Sequence, residues 1–308
     1  MTKRPIKDLS ASVHQRLLNR ANEAGRPFNE LLLRYAMERF LYRLSASPHA
    51  DKFILKGALM LAAWESPQSR PTMDIDLLGR MSNDLDLVAD VVREVCRQKV
   101  PEDGLSFSPD SVEAARITED ADYEGVRVRF RANLGNARVG MRLDVGFGDI
   151  VTPAESDLEY PTILDFPPPR LKGYSRESTV AEKLEAMVRL GELNSRMKDF
   201  YDIWLLSKRF DFSGSVLSQA IEHTFRRRET AVPPEPVGLT GEFARDPMKA
   251  TQWTAFIRRS NLTGAPADFT QVVKAIDLFL GPVAKSLAGG ELMTGEWPAG
   301  GPWCTDSA

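Results

Sequence analysis

Asp74 and Asp76 stand one residue apart in the run Arg70-Pro71-Thr72-Met73-Asp74-Ile75-Asp76-Leu77. On a strand alternate side chains share a face, so both carboxylates would point one way while Ile75 and Leu77 point the other. Two carboxylates about 7 Å apart along one face suit a divalent cation. A third acid, Asp144, lies in the apolar run Leu143-Asp144-Val145, where an isolated carboxylate needs compensation. If that run pairs beside the first, three carboxylates converge. Phosphoryl and nucleotidyl transfer use such a set with Mg2+ or Mn2+ and an NTP substrate, and Asp144 could also accept a proton from the attacking hydroxyl. Upstream, Lys56-Gly57-Ala58 opens a helical segment, so its backbone N–H groups can meet phosphate. The plainer reading of the acidic trio is a solvated strand edge.

A second constellation lies further along the chain. With Val180, Leu184, Met187 and Val188 as the buried stripe of a helix, Lys183 falls on the margin of that stripe and calls for an anionic partner. The next helical segment begins with Arg196, Lys198, Asp199 and Asp202. Lys183 could bind triphosphate, with Asp199 or Asp202 orienting it or contacting the nucleotide and Arg196 beside them. An interhelical salt bridge would explain the same residues.

The elements that must position these groups follow from periodicity and punctuation. Ser10 to Glu23 and Phe28 to Leu44 read as helices, the first closed by Gly25. Phe53–Leu55 reads as a short strand, Ala58–Trp64 as a helix and Asp74–Leu78 as a strand, with the turn-forming residues 66–71 between. A helix over 85–98 and strands over 111–117, 126–133 and 139–147 complete the first part. Phe166-Pro167-Pro168-Pro169 breaks the pattern, and helices are expected over 178–190, 196–208, 216–228, 247–259 and 269–288. The expected organisation is an α+β core over residues 1–165, a helical domain over 170–288 and a flexible tail over 289–308 that docks, if at all, through Trp297 and Trp303.

Charge is distributed unevenly. Residues 71–169 carry 20 Asp and Glu against 10 Lys and Arg, while residues 1–70 carry 12 basic against 6 acidic. An acidic, metal-holding centre with basic flanks that receive a polyanion accounts for this, as does ordinary solvated surface. Cys96, Cys304 and three scattered histidines build neither a disulfide framework nor a zinc site. No apolar run is long enough for a membrane span, and a cytoplasmic protein is expected. Gly146-Phe147-Gly148 lacks the third glycine of a dinucleotide loop, and the calcium-loop-like start at Asp120 has Arg131 in its twelfth position. Arg226-Arg227-Arg228 suits either a helix end or an RNA or partner contact.

Lys56-Gly57-Ala58-Leu59, the run from Arg70 to Leu77, Leu143-Asp144-Val145-Gly146, Glu182-Lys183-Leu184 and Arg196-Met197-Lys198-Asp199-Phe200-Tyr201-Asp202-Ile203 together resemble the AbiEii/AbiGii-type nucleotidyltransferase toxins, in order, over roughly residues 28–230. The resemblance implies a polymerase-beta-like nucleotidyltransferase core with a small mixed sheet, followed by an all-helical domain. It implies Asp74, Asp76 and Asp144 as metal ligands, and Lys183 with Asp199 as nucleotide and catalytic residues. It also implies a toxin–antitoxin or phage-defence pair, with a cognate antitoxin encoded by an adjacent gene. Ala58 stands where the superfamily usually has Gly or Ser, which leaves only backbone donors there. The expected function is transfer of NMP from an NTP to RNA, with the tRNA 3′ end as acceptor. The alternatives are a kinase or small-molecule nucleotidyltransferase, and a non-catalytic nucleotide-binding regulatory module.

Overall fold

The computed structural model describes residues 8–64, 70–117, 125–262 and 264–304. Part of the expected turn at 66–71 and the calcium-loop-like start at Asp120 lie outside them. The chain divides into two compact units, Met1–Gly148 with Ser156–Gly173, and Asp149–Glu155 with Tyr174–Ala308.

In the first unit, Asp8 caps α1 (Leu9–Ala24) by accepting from the Ala11 N–H, and Gly25 ends it in the left-handed region. Pro27 precedes α2 (Phe28–Ser45). Then come β1 (Phe53–Lys56), α3 (Leu59–Ala63), β2 (Ile75–Gly79), α4 (Leu85–Arg97, capped by Asp84), β3 (Leu105–Arg116), β4 (Val126–Leu134), β5 (Ala137–Phe147), β6 (Ser156–Glu159) and β7 (Arg170–Gly173). These strands form one mixed sheet in the order β3-β4-β5-β2-β1-β7-β6, with β2–β5 and β1–β7 parallel and the rest antiparallel.

Alternation on β4 decides which face is core. Val126, Val128, Phe130, Ala132 and Leu134 are buried, while the residues between them reach the other face. Phe130 packs on Phe40 of α2 at 4.8 Å between ring centroids, and Phe107 joins them. The mainly buried α2 also carries charge inward. Arg43 forks onto Asp103 at 2.7 and 3.0 Å, Arg39 reaches the same carboxylate, and Glu38 accepts from the Ile163 N–H at 2.8 Å.

Burial pushes the Glu38 carboxyl up to about 7, against the opposing pull of the Ile163 N–H and Arg39. The folded chain therefore holds this proton more tightly than the unfolded chain does, and Glu38's contribution to stability falls as pH rises from about 4.5 to about 7. Glu38→Gln, which keeps an acceptor for Ile163, should flatten that part of a thermal-midpoint-against-pH curve. An unchanged slope would mean Glu38 ionises normally in the fold.

Strands β6 and β7 were not expected from the sequence. Both are short and flank prolines 167–169, yet β7 returns to the sheet and pairs parallel to β1, with Leu55 opposite Gly173. The prolines therefore connect two strands, and the division into units falls at Gly173–Tyr174. Strand β3 begins at Leu105, earlier than the expected 111, because its register shift between Ser108 and Glu113 interrupts the alternation a reader would follow.

The second unit is built of α5 (Arg176–Leu190), α6 (Met197–Arg209), α7 (Gly214–Arg227), α8 (Gly241–Arg245), α9 (Pro247–Ser260) and α10 (Phe269–Ala288). Ser175 caps α5 by accepting from the Ser178 N–H. Arg228 is committed internally, at 2.8 Å from Glu185 and 3.1 Å from Asp149. The tail marked by the sequence as flexible carries a strand, Glu296–Trp297, which pairs with Phe212–Ser213. Trp297 is buried and donates to the Ser207 carbonyl, and Trp303 stacks on Phe279. Among the described residues no helix is long and apolar enough to cross a membrane.

Candidate active site

Four strands of the first unit place four charged residues in a single rung. Lys56 of β1 is the register partner of Asp76 on β2, Asp76 is the partner of Asp144 on β5, and Asp144 is the partner of Arg127 on β4. Lateral partners share a face, so the rung reads cation, carboxylate, carboxylate, cation. The two acids sit on adjacent strands, about 4.8 Å apart between backbones. Like charges that close repel, and a cation between them relieves the repulsion.

Gly57 brings the backbone hard against this pair. Its φ is +70°, and a Cβ built there would lie 2.0 Å from Asp76 Oδ2. Glycine is required on both counts. The helix behind it, α3, has five residues, shorter than the expected 58–64 segment, and Ala58 makes no side-chain cap. Its end therefore offers a weaker anion site than a full helix would.

Asp74 precedes β2 by one residue, and its carboxylate is held by both Nε and Nη2 of Arg142 on β5. Asp144 is held the same way by Arg127, at 2.9 and 2.8 Å. The structure thus brings Asp76 and Asp144 together on adjacent strands and pairs Asp74 with Arg142. Among the described residues no three His, Cys, Asp or Glu side chains already form a metal-holding group. The donor chemistry of Asp74, Asp76 and Asp144 fits a hard divalent cation, with Asp74 and Asp144 each also holding an arginine.

In the second unit, Lys183 of α5 bonds Asp199 at 2.7 Å and Asp202 at 2.8 Å, both on α6. Arg196 Nε lies 2.7 Å from the other Asp199 oxygen. Burial pushes the Asp199 carboxyl up, but the charges of Lys183, Arg196 and Lys198, with the Lys183 hydrogen bond, outweigh it and hold it well below the usual carboxylate range. The two aspartates are 2% and 1% exposed, Lys183 13% and Arg196 38%. Any anion that arrives must therefore meet the two cations.

The sequence reading missed Arg127 and did not recognise Arg142 as a counter-ion. The available signal was the alternation Val126-Arg127-Val128-Arg129-Phe130-Arg131, which sets arginines on the face opposite a buried one.

The seven-stranded mixed sheet and the helical second unit are consistent with a nucleotidyltransferase fold. The sequence profile described as "Nucleotidyl transferase AbiEii toxin, Type IV TA system" matches residues 39–275, well over half of the chain, and the chain belongs to that family. Membership implies an antitoxin partner. No curated protein matches in sequence. Among solved structures the chain is similar to JHP933 from Helicobacter pylori, at 14% identity and a TM-score of 0.45, over 82% of this chain and 90% of that one. It is also similar to a second H. pylori protein, provisionally described as a nucleotidyltransferase, at 14% identity and a TM-score of 0.44, over 85% and 96% of the two chains.

Proposed function

We propose that the protein transfers NMP from an NTP to the 3′-hydroxyl of an RNA, with the tRNA 3′ end as the favoured acceptor, and so arrests translation in a toxin–antitoxin or phage-defence setting. The observation that carries this reading is the Asp76–Asp144 pair on adjacent strands, with Gly57 closed against Asp76. Asp74, Asp76 and Asp144 would hold Mg2+ or Mn2+, Asp74 and Asp144 doing so beside Arg142 and Arg127. When bound, the cation supplies charge neutralisation at the reacting phosphate and lowers the pKa of the attacking hydroxyl.

The chain's own residues do the rest. Arg127 grips both oxygens of Asp144 and fixes its orientation toward Asp76. Lys56 sets a positive charge on the other side of the pair. In the second unit, Lys183 and Arg196, both partly exposed, are the cations fit for nucleotide phosphate, and the buried Asp199 and Asp202 act through them as positioning residues. In the transfer, the 3′-oxygen bonds to the α-phosphorus, the bond to pyrophosphate breaks, pyrophosphate leaves, and the hydroxyl proton passes to Asp144 or solvent. Neutralisation is assigned to a cognate antitoxin encoded by an adjacent gene.

The test is incubation of the protein with each labelled NTP, Mg2+, and either total RNA or bulk protein. Label is expected in RNA of tRNA length and to vanish with EDTA. Label in protein, or in small molecules alone, would point to a kinase or small-molecule transferase. No Mg2+-dependent NTP binding by calorimetry would point to a regulatory module.

A further inference from the structure

The acidic middle of the sequence conceals a run of arginines. Five of the ten basic residues in 71–169 lie between 127 and 142, and the sheet gathers them on one face. Arg127, Arg129, Arg131 and Asn133 alternate with the buried residues of β4. Their register partners on β5 are Asp144, Arg142, Gly140 and Arg138. On the far side, β3 sets Glu113 opposite Arg129, Ser108 opposite Arg131 and Ser106 opposite Asn133.

Successive rungs lie about 7 Å apart, so this strip runs about 20 Å along the sheet from the Asp76–Asp144 rung. Arg127 and Arg142 are engaged by Asp144 and Asp74. Arg129, Arg131 and Arg138 are exposed, and their guanidinium groups make no ion pair among the described residues. Gly140 leaves the centre of the strip without a side chain, and the space above it is open. Arg129 lies between Arg142, which Asp74 already engages, and Glu113, with which it makes no ion pair among the described residues.

We infer that this strip is the track along which the backbone of a nucleic-acid acceptor lies as its 3′ end meets the carboxylate rung. The inference rests on the proposed transfer reaction for the direction of the strand, and on the strip alone for binding. The guanidinium fork matches phosphate oxygens, and Ser106, Ser108 and Asn133 add the neutral donors that accompany arginine at phosphates. No aromatic side chain stands on these positions, so base stacking adds nothing there and the grip is on the backbone phosphates. Binding is therefore independent of sequence and strongly dependent on salt.

The test compares the native protein with R129Q/R131Q/R138Q, using a 5′-fluorescein oligoribonucleotide with a free 3′-hydroxyl and anisotropy over a range of salt. The triple variant should bind about tenfold or more weakly, and the slope of log affinity against log salt should fall by about 2. Arg131→Gln alone should lower the slope by about 0.7, which keeps the test decisive if the triple variant folds poorly. Calorimetric NTP binding should be the same in all three proteins. Unchanged RNA affinity and slope in folded variants would overturn the track. So would loss of binding to poly-L-glutamate in place of RNA, which would assign the strip to an acidic protein. If the slope falls in a protein that transfers no nucleotide, the track stands and the transfer reading fails.

Discussion

Asp76→Asn lowers nucleotide transfer by about 100-fold or more in a protein that melts close to the native one. Asp76 is the central carboxylate of the rung, between Lys56 and Asp144, and its neighbour Gly57 closes on its Oδ2. Losing one group that stabilises developing charge commonly costs about 10²-fold or more. The carboxamide has the same shape but no charge, so the repulsion from Asp144 is relieved while the attraction to Lys56 is lost, and stability changes little. Labelled-NTP incorporation and a thermal scan on the same preparation decide the matter. Retained transfer would remove Asp76 from the site, and a large fall in melting temperature would make it a structural residue.

Gly57→Ala is expected to cost a comparable factor by geometry alone, with every charge in place. The added methyl would occupy space 2.0 Å from Asp76 Oδ2, and the residue would have to keep a φ of +70°. The left-handed backbone costs about 1–2 kcal/mol for a residue with a Cβ. Displacing the carboxylate by about 1 Å can cost about 10²-fold in rate. Gly140→Ala is the control, because that site is open and should leave the thermal midpoint unchanged. If Gly57→Ala is as active as the native protein, the tight turn is not what places Asp76.

Much of this site can be read from local pattern. The spacing of Asp74 and Asp76 and the apolar neighbours of Asp144 reveal strands with acids on one side. The stripe around Lys183 reveals a helix margin, because helical and strand periods are local properties of the chain. What is not local is register. Nothing near Arg127 says that it will lie opposite Asp144, or that Arg142 will pair with Asp74, since a shift of one residue would exchange every partner. Net charge misleads for the same reason: acids elsewhere in 71–169 outnumber the arginines that β4 and β5 collect on a single face. The prolines before Arg170 look like the end of a domain because a short strand after a breaker leaves almost no periodicity to find.

The rung also sets when the site can exist during synthesis. Asp76 and Asp144 are 68 positions apart in the chain, and they meet only through the parallel pairing of β2 with β5. Such a pairing closes a long loop before it gains anything, so it belongs to the slow part of folding. A nascent chain that has emerged as far as β2 can set Asp76 beside Lys56, but it has no second carboxylate. The chemistry proposed here is therefore absent from every fragment that stops short of β5, and the ribosome that makes this protein is not exposed to it until that strand has docked.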